Sequence, residues 1–130
     1  MSQENVEVVR RLLEAVNRRN LDAMLETGDP EIEIVTLMSG TYRGHAGWRQ
    51  LVEEMAEELS GFQFVPEDVI DVDQGTVVAM TRWVGVGRTS GIEVPDTPIG
   101  LVYTLRDGLV VRQESFPNRV DALKAVGLKE

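Results

Sequence analysis

The sequence predicts an α+β fold, with helices dominating the first half, strands the second and a short helix at the end. Two observations carry this. Apolar residues recur at helical spacing near the N-terminus and again over 48–59. After Ser60 and Gly61 the pattern turns strand-like, and the turns "DQG" and "RDG" separate successive runs so closely that neighbouring strands must be antiparallel.

The first helix is predicted to start at Ser2, a capping residue with Glu4 in the opening turn. Val6, Val9, Leu12, Leu13 and Val16 form its apolar stripe. It should end near Arg18 and Arg19, whose cations suit a helix C-terminus. Asn20 then caps a short helix, "LDAMLET", which Gly28 is expected to stop. In "EIEIVTL" the alternation predicts a half-buried strand with Ile32 and Ile34 inward and Glu31 and Glu33 outward. A slip of one residue would reverse that assignment and make Glu33 a pocket base.

The next helix carries Trp48, Leu51, Val52, Met55 and Leu59 on one face. Glu53, Glu54, Glu57 and Glu58 crowd the other, a solvated face rather than a metal cage. The later strands are apolar in both phases, with Ala79, Trp83, Leu101 and Tyr103 in one and Val78, Met80, Val102, Val110 and Phe116 in the other. Both faces of the sheet therefore want cover. Helices are expected on the concave face only, so a second copy of the chain, about a two-fold axis, is expected on the outer one. Asn118 caps a last helix, "RVDALKAV", ended by Gly127.

Residues 1–130 fit one domain, large enough to bury roughly two thirds of the surface of the unfolded chain. The formal charge of −9, from 22 acidic and 13 basic residues, repels phosphate backbones and anionic lipid, so neither nucleic acid nor membrane is an expected partner. There is no cysteine, hence no thiolate metal site or cysteine nucleophile. The charged start "MSQENVEVVRR" lacks an apolar signal core, which makes the cytoplasm the expected location.

The element order, with "VNRRNLDAMLETGDPEIEIV", "GTYRGHAGWRQLVEEM", "YTLRDGLVVRQESF" and "DALKAVGL", resembles the SnoaL-like, polyketide-cyclase-like branch of the nuclear transport factor 2-like superfamily. The resemblance runs over nearly the whole chain. It implies a curved antiparallel sheet forming a conical barrel closed by N-terminal helices, the cystatin-like cone, with an internal pocket. Relatives of this fold include isomerases, cyclases, epoxide hydrolases and proteins without chemistry, so the fold alone assigns no reaction.

Matched by position, the steroid-isomerase pattern places its phenol at Leu12, its base at Ile34 and its protonated acid at Leu101. All three are apolar, and none can move a proton. The same matching turns Leu12, Val16, Ile34, Trp48, Met55, Ala79, Thr81, Trp83, Leu101, Tyr103, Val111, Gln113 and Ser115 inward. A mainly apolar pocket of this kind suits a small hydrophobic ligand bearing a carbonyl or hydroxyl, which Gln113, Thr81, Ser115 or Tyr103 could hydrogen-bond. Each of those groups could equally be satisfied by backbone or by a buried water.

The expected function is therefore ligand binding without the family's usual catalytic acids. The alternative is an enzyme of the cyclase, isomerase or epoxide-hydrolase type, with Gln113, Tyr103 or Glu33 as candidate catalytic residues. No cofactor and no metal are expected. "GVGRTSG" lacks the strand-turn-helix context of a dinucleotide site and reads as a bend or a loop over the cone mouth. The cluster "SGTYRGHAGWRQ", with the chain's one histidine, reads as architecture between strand and helix: His45 and Arg43 sit at the helix start, and only Trp48 turns toward the pocket.

Overall fold

The computed structural model describes residues 2–73, 75–87 and 90–128, and only the backbone of Ser2, Asp73 and 94–96. The Ser2 cap, the middle of the "DQG" turn, Arg88 and Thr89 of the glycine loop and the Asp73 and Asp96 side chains lie outside it. The chain runs α1 (Ser2–Asn17), α2 (Leu21–Glu26), β1 (Gly28–Val35), β2 (Thr41–Arg43), α3 (Gly44–Glu58), β3 (Leu59–Asp73), β4 (Thr76–Gly87), β5 (Glu93–Arg106), β6 (Leu109–Phe116) and α4 (Arg119–Ala125).

The six strands form one curved sheet in the order β2-β1-β6-β5-β4-β3. The α+β class is as expected, but the sheet stays open, with β2 and β3 at its edges, and does not close into a barrel. It is not wholly antiparallel either. β1 lies parallel to β6, pairing Ile34 with Gln113, and the short strand β2, unforeseen in "SGTYRG", pairs antiparallel with β1.

Local chemistry explains most boundaries. Arg19 takes a left-handed φ of 57° after α1, and the Asn20 side chain accepts the Ala23 N–H at 3.2 Å to start α2. Asn118 does the same for α4, accepting the Asp121 N–H at 2.8 Å. Asp107 and Gly108, both at positive φ, make the tight turn between β5 and β6. Gly28 does not stop α2: it opens β1, where the Trp48 ring lies so close that a Cβ would come within 2.5 Å of it.

The concave face packs on α1, whose Val9, Leu12 and Leu13 are buried with Ile32, Ile34, Val77, Ala79, Leu101 and Tyr103 of the sheet. At the edge strand β3, which pairs only with β4, the Asn17 side chain supplies the missing partner. Its Nδ2 donates to the Phe64 carbonyl and its Oδ1 accepts the Phe64 N–H, each at 2.9 Å. Arg19 adds a guanidinium 3.6 Å above the Phe62 ring and a hydrogen bond to the Phe62 carbonyl.

The outer face differs from expectation. It is not left to a partner alone, because α4 folds back onto it and buries Val78 and Met80 against Ala122 and Leu123, with Val102 and Phe116 alongside. Gly100 makes room for this, since a Cβ there would come within 2.5 Å of the Ala122 methyl. A bulge in β6 also reverses one assignment. Thr104 pairs with Arg112 but Leu105 pairs with Val110, so Val111 is skipped and Val110 joins the inner core.

Candidate functional site

A cavity of about 330 Å³ lies between the concave face of the sheet and helices α1 and α3, within the size range of small-molecule sites. Its helical walls are Leu12, Leu13 and Val16 from α1 and Trp48, Leu51, Val52 and Met55 from α3. The sheet supplies Ile34, Phe62, Phe64, Trp83, Ile99, Leu101, Tyr103, Gln113 and Ser115. The rim is Thr36, Leu37, Met38 and Ser39 with Glu58 and Leu59 at the end of α3.

These positions follow from the two periodicities. On α3, positions 48, 51, 52 and 55 share one face. On β5, alternation turns 99, 101 and 103 to the same side, and pairing aligns Tyr103 with Gln113, and Leu101 with Ser115. The rim is set by a turn: the Thr36 N–H and hydroxyl both donate to the Gly40 carbonyl, at 3.0 and 2.7 Å. That turn holds Leu37 and Met38 outward, Met38 being 94% exposed.

Of the residues expected at the pocket, Leu12, Val16, Ile34, Trp48, Met55, Trp83, Leu101, Tyr103, Gln113 and Ser115 line this cavity. Thr81 does not. It is buried on the same face, but its hydroxyl donates to the Ile99 carbonyl at 2.9 Å and is spent there. Ile99, Phe62 and Phe64 were not singled out, although Ile99 shares the phase of Leu101 and the alternation in "FQF" carries both phenylalanines. The rim residues had no periodic signal to find them. Glu58, read as part of a solvated outer face, is exposed yet reaches the rim.

The interior is apolar apart from a few neutral groups. Among the described residues no hydrogen-bond partner is found for the Tyr103 hydroxyl, the Gln113 amide or the Ser115 hydroxyl, and the buried Trp83 Nε1–H has none. Burial pushes the Tyr103 phenol far above its usual range, so it stays protonated and serves as a neutral donor or acceptor. No carboxylate among the described residues lines the interior.

Glu33, the candidate base, points away from the cavity. Its carboxylate accepts from Arg112 Nε at 2.9 Å and also from Arg43. Arg112 in turn donates to Glu114 at 2.7 Å. The hydrogen bond from Arg112, then the Arg43 charge, hold the Glu33 pKa below the usual glutamate range despite some desolvation. A pocket base would need the opposite shift. His45, at the start of α3, bonds the Gly28 carbonyl through Nε2 at 2.9 Å and ties the helix start to β1. Tyr42 donates to Glu54 at 2.7 Å, so the cluster around His45 is occupied in structural contacts.

No group of three or more His, Asp or Glu side chains among the described residues is placed to hold a metal ion. No helix among them is long and apolar enough to cross a membrane.

Residues 9–113 match the family model of the SnoaL-like domain. No curated protein matches the chain. Among solved structures, the chain is similar to a protein of unknown function with the nuclear transport factor 2-like fold from Burkholderia pseudomallei K96243, at 17% identity over 95% of this chain and 98% of the other, TM-score 0.81. It is also similar to a protein from Jannaschia sp. CCS1 whose name suggests a SnoaL-like polyketide cyclase, at 23% identity over 98% and 94% of the two chains, TM-score 0.79. TerC, crystallised with polyporic acid, matches at 21% identity over 95% and 98%, TM-score 0.79. At these identities the likeness is one of fold.

Proposed function

We propose, from the premise that this chain belongs to the SnoaL-like domain family, that its cavity binds a small hydrophobic molecule carrying a carbonyl or hydroxyl group. The reading rests on one observation above others: an apolar cavity lined by Tyr103, Gln113 and Ser115, whose neutral polar groups have no partner among the described residues. Such groups are costly to leave dry, and a ligand oxygen satisfies them.

Proton transfer after the steroid-isomerase pattern is not part of this reading, because the three positions it needs are Leu12, Ile34 and Leu101. Nor is an enzyme built on Glu33, whose carboxylate is engaged by two arginines outside the cavity. For self-association, a second copy of the chain is the partner proposed for the outer surface beyond α4. There it meets the charged row Glu33, Arg43, Arg112 and Glu114 rather than the apolar residues under the helix.

Thermal unfolding with a panel of apolar ketones, phenols and polyporic acid tests the binding reading. Occupancy at one hundred times Kd should add about 2.7 kcal/mol of stability. Failure of every compound to raise Tm would refute an open binding cavity.

A further inference from the structure

The polar atoms of the cavity include the pair Tyr103 and Gln113 at one end and the Trp83 indole toward the other, with the Ser115 hydroxyl opposite Leu101 between them. At the inner end, the phenol of Tyr103 and the amide of Gln113 are cross-strand neighbours on β5 and β6, and Tyr103 is wholly buried. At the outer end, Trp83 pairs with Thr97 of β5 and stacks on Phe64 with ring centres 6.5 Å apart. Between positions 97 and 103 the strand offers the cavity only Ile99 and Leu101. Two hydroxyls lie nearby: that of Thr81 is taken by the Ile99 carbonyl, and that of Ser115, opposite Leu101, faces the cavity. Six residues of strand correspond to about 20 Å of contour.

Trp83 is the informative member. Its Nε1–H is buried and unpartnered, on a ring that walls the cavity. An indole nitrogen can only donate, so what satisfies it must be an acceptor. Charge is disfavoured at either end, since no ionised side chain among the described residues lines the interior to compensate it. The one carboxylate on the lining among the described residues, Glu58, stands exposed at the rim.

We infer that the ligand is an elongated, uncharged molecule with a hydrogen-bonding oxygen at each end, one held by Tyr103 and Gln113 and the other accepting from the Trp83 indole. This rests on the cavity being a binding site, and it adds the ligand's shape, its neutrality and the specificity role of Trp83.

The test uses three rod-shaped probes of one scaffold: biphenyl, 4-acetylbiphenyl and 4,4′-diacetylbiphenyl. Affinity is expected to rise about fivefold with each carbonyl. The Trp83 indole N–H resonance, assigned by its loss in W83F, should move on adding the diketone and stay with biphenyl. W83F should bring the diketone down to the affinity of the monoketone while leaving biphenyl within about twofold. Equal binding of all three probes would overturn the two-ended reading while leaving the binding cavity in place. So would an unmoved indole resonance, or a W83F loss equal for all three. If none of the probes binds, both readings fall.

Discussion

Asn17 and Phe64 are joined by two hydrogen bonds across the open side of β3, with the Asn17 side chain meeting the backbone N–H and C=O of Phe64 at 2.9 Å each. One side chain thus does at the sheet edge what a further strand would do, and it ties the end of α1 to the strand that carries Phe62 and Phe64 into the cavity. Asn17→Ala removes both bonds at a half-buried place where water can replace them only in part. The expected loss is about 1–3 kcal/mol of unfolding free energy, read by denaturant titration. The Phe64 amide should lose more hydrogen-exchange protection than the amides of β5.

Gly28 and Trp48 set the back wall. Because a Cβ at 28 would come within 2.5 Å of the indole and Trp48 is almost wholly buried, Gly28→Ala forces the ring out of place. A cost of about 1–3 kcal/mol is expected, a fall in Tm of several degrees in thermal unfolding. Unchanged stability would mean that the ring moves freely and does not define the wall.

Tyr103→Phe separates binding from stability. The phenol hydroxyl has no partner among the described residues, so deleting it should leave unfolding free energy unchanged or slightly raised. Affinity for a bound apolar ketone should fall about fivefold by calorimetry. A large stability loss would show that the hydroxyl is held by the protein and is not free for a ligand.

Glu33 should contribute stability in its ionised form. Its folded pKa is lowered, first by the hydrogen bond from Arg112, so the contribution is complete above the ordinary glutamate value of 4.5 and is lost as pH falls through the lowered one. The stability gap between the wild-type protein and Glu33→Gln is expected to be widest near neutral pH and to close in acid. Urea titrations at several pH values check this, and a gap that widens in acid would reverse the assignment.

Much of this was legible in the chain. The stripe Val9, Leu12, Leu13 and Val16, the alternation of Ile32 with Ile34, and the Asn20 and Asn118 caps are local, and each appears where the pattern puts it. Ten of the thirteen residues expected to face inward line the cavity, because side-chain direction on a helix or strand is a local property; Ala79 is buried in the core without lining it, and Val111 is displaced by the β6 bulge. Thr81 is a third exception, for a reason local pattern cannot hold: its hydroxyl found a carbonyl on the next strand.

By itself, then, the sequence determined most of the segments that are helix or strand, the short β2 excepted, and which side of each is apolar, since periods of 3.6 and 2 and the caps at helix ends act over a few residues. Tertiary structure decided what those sides meet. The bulge at Val111 exchanged it for Val110 in the core, α4 covered an outer face that looked destined for a partner, and β1 found β6 in parallel across most of the chain. Only the packing of the curved sheet against its helices could leave a space bounded by Tyr103, Gln113 and Trp83. Whether facing side chains fill the gap between them depends on distances set by strands far apart in sequence.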